Sequence, residues 1–331
     1  MRSIILIRIL VVVFINVFQS VKAQKQLTTK ITAIFHISGA EPYDDLSISP
    51  NGKIYQSHNS HINIIDKNTG DSLGVIPNTP SVHGIAFAEK LGKGYTTNGS
   101  NTVTIFDFNK DSVTGLIKVG IGPDGIIYEP FTKTIIVCNE RSHDLTLIDP
   151  NSDTVLKVIP LSGSPEAPFS NGRGKLFVNI KKGHIDVVDL KTWKLENQFE
   201  LGTGKRLTGL SMDTETDRLF VGTSNNLFFV LNGTTGQIID SLPIGIGCDG
   251  VVFDPTTKYI FAACEDAKLT VIQELSGDHY TIIANVKTAQ GANIVAIDAQ
   301  TRTVFLPAHY DFDKIQKKYP PGIQMLKIEY F

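Results

Sequence analysis

Seven residues capable of polar chemistry recur at nearly constant intervals. Asp44, His83, Asp124, Glu166, Thr208, Asp249 and Asn293 follow one another at spacings of 39, 41, 42, 42, 41 and 44. Each is the second residue of a segment that opens small or polar and runs into an apolar stretch: "YDDLSISP", "VHGIAFAE", "PDGIIYEP", "PEAPFSNG", "LTGLSMDT", "CDGVVFDP" and "ANIVAIDA". Four carboxylates and one imidazole at equivalent places would crowd together if the repeats were arranged in a ring. Crowded carboxylates repel, and a cation or a shared proton relieves them. Oxygen donors suit a hard divalent cation such as calcium, and an added imidazole favours a transition metal. Asp44, His83, Asp124, Glu166 and Asp249 are therefore the candidate metal ligands. A competing structural role exists for the Asp residues, since an Asp at a strand start can cap backbone amides of a neighbouring segment. His83 breaks the Asp-Gly pattern at the same position.

The elements that would hold this ring can be read from the rest of each repeat. A turn carrying Lys or Arg follows the apolar stretch, as in "SPNGK", "EPFTK", "DTETDR", "DPTTK" and "DAQTR", with Pro, Asn, Asp and Gly supplying the turn dihedrals. A second strand comes next ("KIYQSH", "TIIVCN", "YIFAAC"), then a third of alternating polarity ("TVTIFD", "LTLID", "IDVVDL"), the period of a half-buried strand. A turn such as "KNTGD" or "NGTTGQ" leads to a fourth. Four short strands per repeat of this length is the pattern of a β-propeller blade. The seventh copy lacks its fourth strand, and "KITAIFHIS" (Lys30 to Ser38) near the N-terminus stands alone. Placing it as the outer strand of the last blade closes seven blades of four strands and leaves no open ring edge. The expected fold is thus all-β, a seven-bladed propeller.

The first 23 residues read as a secretory signal: Arg2 and Arg8 give a basic start, Ile9 to Phe18 an apolar run, and Val21-Lys22-Ala23 a cleavage site. The run is too short for an ordinary membrane span. The expected organisation is a signal at residues 1–23 and a single propeller domain at 24–331, secreted or periplasmic, with no membrane span after cleavage. Removing the signal takes away Arg2, Arg8 and Lys22 and no acid, which moves the formal charge from −2 to −5. That balance argues against a nucleic-acid backbone as partner, which would call for a basic face. Three cysteines are too few and odd in number for a disulfide framework. Cys248 and Cys264 flank one strand pair and could meet as a disulfide, which leaves Cys138 without an obvious partner.

At this point a family resemblance emerges. "GYTTNGSNTVTIFD" (Gly94 to Asp107) resembles the signature of the YVTN β-propeller repeat family, and "LTGLSMDTETDRLFVG", "SLPIGIGCDGVVFDP" and "KTAQGANIVAIDAQTRTVFLP" carry a similarity to its exported YncE-like branch. The resemblance runs from about Ile31 to Phe331. It implies the fold. It leaves the activity open, because propellers of this kind serve as binding scaffolds, surface proteins and occasionally enzymes.

In such a fold the innermost strand begins, and the second strand ends, on one face beside the channel. A second set of candidates follows from the strand-two ends and their loops: His58, Asn98, Asn139, Glu140, Lys181 and Glu265, with Lys205 and Arg206 entering blade five. Lys181, Lys182, Lys205 and Arg206 would form a cationic corner suited to a carboxylated or sulfated ligand. "PAHYDFDKIQKKYPPG" (Pro307 to Gly322) is the longest irregular stretch, and long loops on rigid scaffolds often bind or cover ligands. His309, Tyr310 and His83 are the candidate acid–base groups. The leading functional expectation is a monomeric, exported binding protein that engages a small molecule or an envelope or extracellular protein. A metal-assisted lyase or lactonase acting on an acidic sugar or lactone is the first alternative, and an envelope interaction scaffold the second. No nucleotide loop, nucleophile elbow or HExxH is present.

Overall fold

In the computed structural model, residues 27–38, 42–310 and 322–331 are described. The signal-like segment and most of the Pro307 to Gly322 loop lie outside them. Twenty-eight strands form seven four-stranded antiparallel sheets, and the one helical turn among the described residues is a short 3-10 turn at Glu89–Leu91. The innermost strands of blades one to seven are Leu46–Ile48, Val82–Ala88, Pro123–Glu129, Pro165–Ser170, Leu207–Asp213, Cys248–Asp254 and Ala296–Asp298. In blades one to six the four strands follow one another outward in chain order. The last sheet departs from this order. Ala296–Asp298, Thr303–Tyr310 and Gly322–Tyr330 are completed on the outside by Thr29–Ser38, paired with Gly322–Tyr330 in antiparallel register from Thr29 opposite Tyr330 to Ser38 opposite Gly322. The ring therefore closes by pairing the two ends of the chain, as the orphan strand implied.

The alternating strands bury one face of each sheet against the next blade. Seven apolar clusters result, each spanning two adjacent blades. Phe220 and Phe228 of blade five pack with Val251, Ile260 and Tyr280 of blade six. Phe35, Phe305 and Met325 of blade seven pack with Leu46 and Ile54 of blade one, so the closing seam is as apolar as any other. Burial of apolar surface between blades is the main force holding the ring together.

The lower face, where innermost strands turn back into second strands, is stitched by ions. Lys53 of blade one reaches Asp111 of blade two at 2.6 Å, and Lys93 of blade two reaches Asp153 of blade three at 2.7 Å. In each case a tyrosine two residues along the strand, Tyr55 or Tyr95, donates its hydroxyl to the same aspartate. The Lys-x-Tyr spacing puts both side chains on one face of a strand, which lets them grip one acid of the neighbouring blade.

Candidate functional site at the upper channel mouth

The upper face is built differently. In blades two to six the pairing of the two inner strands slips just after the innermost strand begins, for example between Val82 and Ile85, Pro123 and Ile126, and Cys248 and Gly250. These bulges release His83, Asp124, Glu166, Thr208 and Asp249 from the ladder. A bulge re-aims a side chain, and here the channel is the destination. All seven blades contribute to a cavity of about 210 Å³ at this mouth, with Asp44, Asp124, Glu166, Thr208 and Asp249 in its wall.

The glycine that follows four of the ring residues, at Gly84, Gly125, Gly209 and Gly250, has a steric cause. A Cβ on Gly84 would meet the Asp124 carbonyl oxygen at 2.8 Å, and one on Gly125 would meet the Glu166 carbonyl at 2.6 Å. Neighbouring blades thus approach backbone to backbone, and the Asp-Gly pairs recur because of the glycine. Blade one carries Asp45 in place of this glycine. Its carboxylate accepts from the backbone N–H of Leu46 and, across the seam, from Ile85 at 2.8 Å. Burial pushes the Asp45 carboxyl up to about 6. Amide capping between blades is therefore performed by Asp45, a residue the ring alignment passed over. An Asp where four of the other copies place Gly was the available signal.

The ring carboxylates do no comparable structural service. Among the described residues the Asp124 carboxylate accepts no hydrogen bond, and His83 Nδ1 lies 3.9 Å from its Oδ1. His83 Nδ1 also pairs with the Asp44 carboxylate. One donor atom from each of Asp44, His83 and Asp124 falls within 4.8 Å of the others. Asp249 accepts a 3.3 Å hydrogen bond from Asn293. The Asp124 side chain is half-buried, whereas Asp44 and Asp249 are open to the channel mouth with blade walls behind them. Burial, followed by the charges of Asp44 and Glu166, pushes the Asp124 carboxyl up to about 7. Burial and then Glu166 and Asp44 push Asp249 up to about 7. The hydrogen bond to Asp44 raises His83, against the opposing effect of burial. Burial also raises Glu166, although Lys181 opposes it from 3.0 Å.

The remaining candidates divide into four groups. His58, Asn98 and Asn139 are buried inside their own blades. Asn98 pairs with Thr102 and Thr104, Asn139 with Asp144 and Thr146, and His58 with Asn63. Each links a second strand to a third and does not face the cavity. The cationic corner is largely neutralised from within, because Lys181 pairs with both Glu140 and Glu166, and Arg206 lies 4.0 Å from Glu166. Lys205 and Glu265 stand exposed on the rim of blades five and six. His309 and Tyr310 do not begin a loop: they continue the second strand of blade seven, opposite Ile323 and Gly322. Cys248 and Cys264 do face each other across their strand pair, but as buried free thiols. Contact with Cys264, then burial, pushes the Cys248 thiol up.

Comparison with solved structures bears on the fold. The chain resembles a chain of the Kuenenia stuttgartiensis hydrazine synthase (16% identity, TM-score 0.72, covering 82% of this chain and 94% of that one). It also resembles a chain from a mitotic checkpoint complex (10% identity, TM-score 0.76, covering 98% of each). The chain is a seven-bladed β-propeller. At such low identity the likeness extends to the scaffold alone. No family model matches the sequence, and no curated protein is similar to it in sequence. Among the described residues no helix is long and apolar enough to cross a membrane. The propeller is a scaffold suited to binding a ligand or partner.

Proposed function

We propose that this propeller is an exported binding module whose upper channel mouth takes a small cationic ligand, in the first instance a divalent metal ion held by Asp44, His83 and Asp124. The observation that carries the reading is that Asp44, His83 and Asp124 bring ligand atoms within 4.8 Å of one another at one point of the channel mouth, where burial raises the Asp124 carboxyl to about 7. A folded chain keeps charges in such a place at a cost. A cation removes that cost, because it replaces like-charge repulsion by attraction and displaces the protons the acids otherwise hold. Two carboxylates with one imidazole nitrogen match a borderline cation such as manganese or zinc better than calcium, which prefers oxygen alone. The small cavity admits a hydrated ion or a compact amine and leaves no room for a polymer. The basic-apolar N-terminal segment ending in Val21-Lys22-Ala23 supports export.

A thermal-shift and calorimetric titration with manganese, zinc and calcium tests this reading, run beside an Asp124→Asn/Asp249→Asn double variant. A cation present at 100 times its dissociation constant stabilises the wild type by about 2.7 kcal/mol. The double variant should lose most of that response. Failure of every cation and of simple alkyl diamines to move the wild-type transition would end the proposal.

A further inference from the structure

The lower half of the channel carries a second site of opposite character. The two halves of the propeller repeat at a distance of 125 residues: Asp124-Gly125 in blade three corresponds to Asp249-Gly250 in blade six, and Lys133 to Lys258. Both lysines occupy the same left-handed turn position, with φ of 58° and 59°. Lys258 reaches back to the preceding blade, where Asp213 at 2.9 Å and Glu215 at 2.8 Å neutralise it. The residues 125 positions earlier are Ala88 and Lys90. Where one half of the ring closes an ion pair, the other carries two lysines at the equivalent places. Neither Lys90 nor Lys133 has an ion-pair partner among the described residues, and both are exposed.

These two lysines border a cavity of about 970 Å³ that opens at the lower mouth. Its wall combines the apolar Ile48, Ile85, Phe87, Ile126, Ile127 and Tyr128 with nearly as much polar surface, and Glu89 is the acid beside the lysines. Asp45 and Ser47 line its inner end, and Asp45 also borders the upper cavity. Leu91 and Phe131 flank the lysines on the outside, 41% and 43% exposed. Apolar walls with a few convergent polar groups are the usual make-up of a small-molecule pocket, and this volume is at the upper end of the common range.

We propose that the lower channel binds an amphiphilic monoanion, such as a medium-chain aliphatic carboxylate. Its head pairs with Lys90 and Lys133, and its chain runs inward along Ile48, Phe87, Ile126 and Tyr128. Charge complementarity selects the anion at the rim, where two ammonium groups outweigh Glu89, while Asp45 sits at the opposite, inner end of the cavity. The apolar wall selects a chain over an inorganic anion, which gains nothing from displaced channel water. This site does not depend on the upper ring, and either can fail without the other.

Titration calorimetry with decanoate below its micellar range tests the proposal, with decyltrimethylammonium as the cationic counterpart. Wild-type protein should bind decanoate and not the ammonium compound. Lys90→Glu installs the acid that blade five carries at this place, so it should pair with Lys133, hold or raise the melting temperature, and weaken decanoate binding by about tenfold or more. Lys133→Gln should weaken it in the same direction without adding a charge pair. An Asp124→Asn/Asp249→Asn variant should bind decanoate as the wild type does. The proposal is overturned if the wild type does not bind decanoate, if it binds decyltrimethylammonium equally well, or if Lys90→Glu and Lys133→Gln both fold and leave the affinity unchanged.

Discussion

Two sets of acids repeat around this ring, and the propeller treats them in opposite ways. At the lower face the third strand of blades one to four ends in Asp66, Asp107, Asp149 and Asp189, and each carboxylate accepts from backbone N–H groups two or three residues on. These bonds hold Asp66, Asp107 and Asp149 below the usual carboxylate range, and the Lys175 ammonium is the leading cause for Asp189. At the upper mouth Asp124 and Asp249 move the other way, to about 7. Equal spacing in sequence therefore conceals unequal work. An acid with donors aimed at it belongs to the fold, and an acid facing other acids awaits something from outside.

The sharpest break in this contrast should come from the buried lower acid Asp254, which accepts from the Thr256 backbone, the Thr257 hydroxyl and the Tyr330 hydroxyl at 2.7 to 2.9 Å. Asp254→Ala orphans three donors at once, and urea unfolding should show a loss of about 3 kcal/mol. The upper ring should respond with the opposite sign. Asp124→Asn/Asp249→Asn removes repulsion and should raise the cation-free melting temperature at pH 8, by about 2 °C or more.

That gain depends on pH in a defined direction. A carboxyl whose folded pKa is raised binds its proton more tightly in the folded state, so the wild type should gain stability as pH falls from 8 through 7 towards the unfolded value near 4. The difference between wild type and double variant should shrink over that window, which melting curves from pH 8 to pH 5 would show. Cation binding should follow the same titration. Protons and metal compete for Asp124, Asp249 and the raised His83, so affinity measured by calorimetry should climb from pH 6 to pH 8.

The smallest effect belongs to the exposed lower turns. Asp149→Ala removes acceptors for Asn151 and Ser152 at a solvated turn, and the melting temperature should drop by about 1–2 °C at neutral pH. Because folding lowers the pKa of Asp149, its contribution is present above the unfolded value of 3.8 and fades as pH falls through the lower folded value. Wild type and variant should therefore converge in strong acid. A large loss in Asp149→Ala, or a loss instead of a gain in Asp124→Asn/Asp249→Asn, would erase the distinction between the two faces.

The blade pattern was legible because it is local. Strand polarity, turn residues and a period near 41 are properties of consecutive residues, and the unpaired strand at Lys30 to Ser38 reported ring closure because a missing fourth strand has to come from somewhere. The convergence of Asp44, His83, Asp124, Glu166 and Asp249 was likewise legible, since equivalent places in a closed ring face one channel. What the sequence could not supply was which polar side chains the fold would consume. Asn98 and Asn139 look like loop ligands by position, yet they turn into the blade, where they pair with Thr104 and Thr146. Lys181 looks like a free cation, yet Glu140 of blade three and Glu166 of its own blade close on it. The unbalanced pair Lys90 and Lys133 is written plainly in the chain, but only the packing of blade two against blade three gives those residues a cavity to face. Local order and periodicity are set by neighbours along the chain, whereas the partner of a charge is set by whatever the closed ring brings beside it.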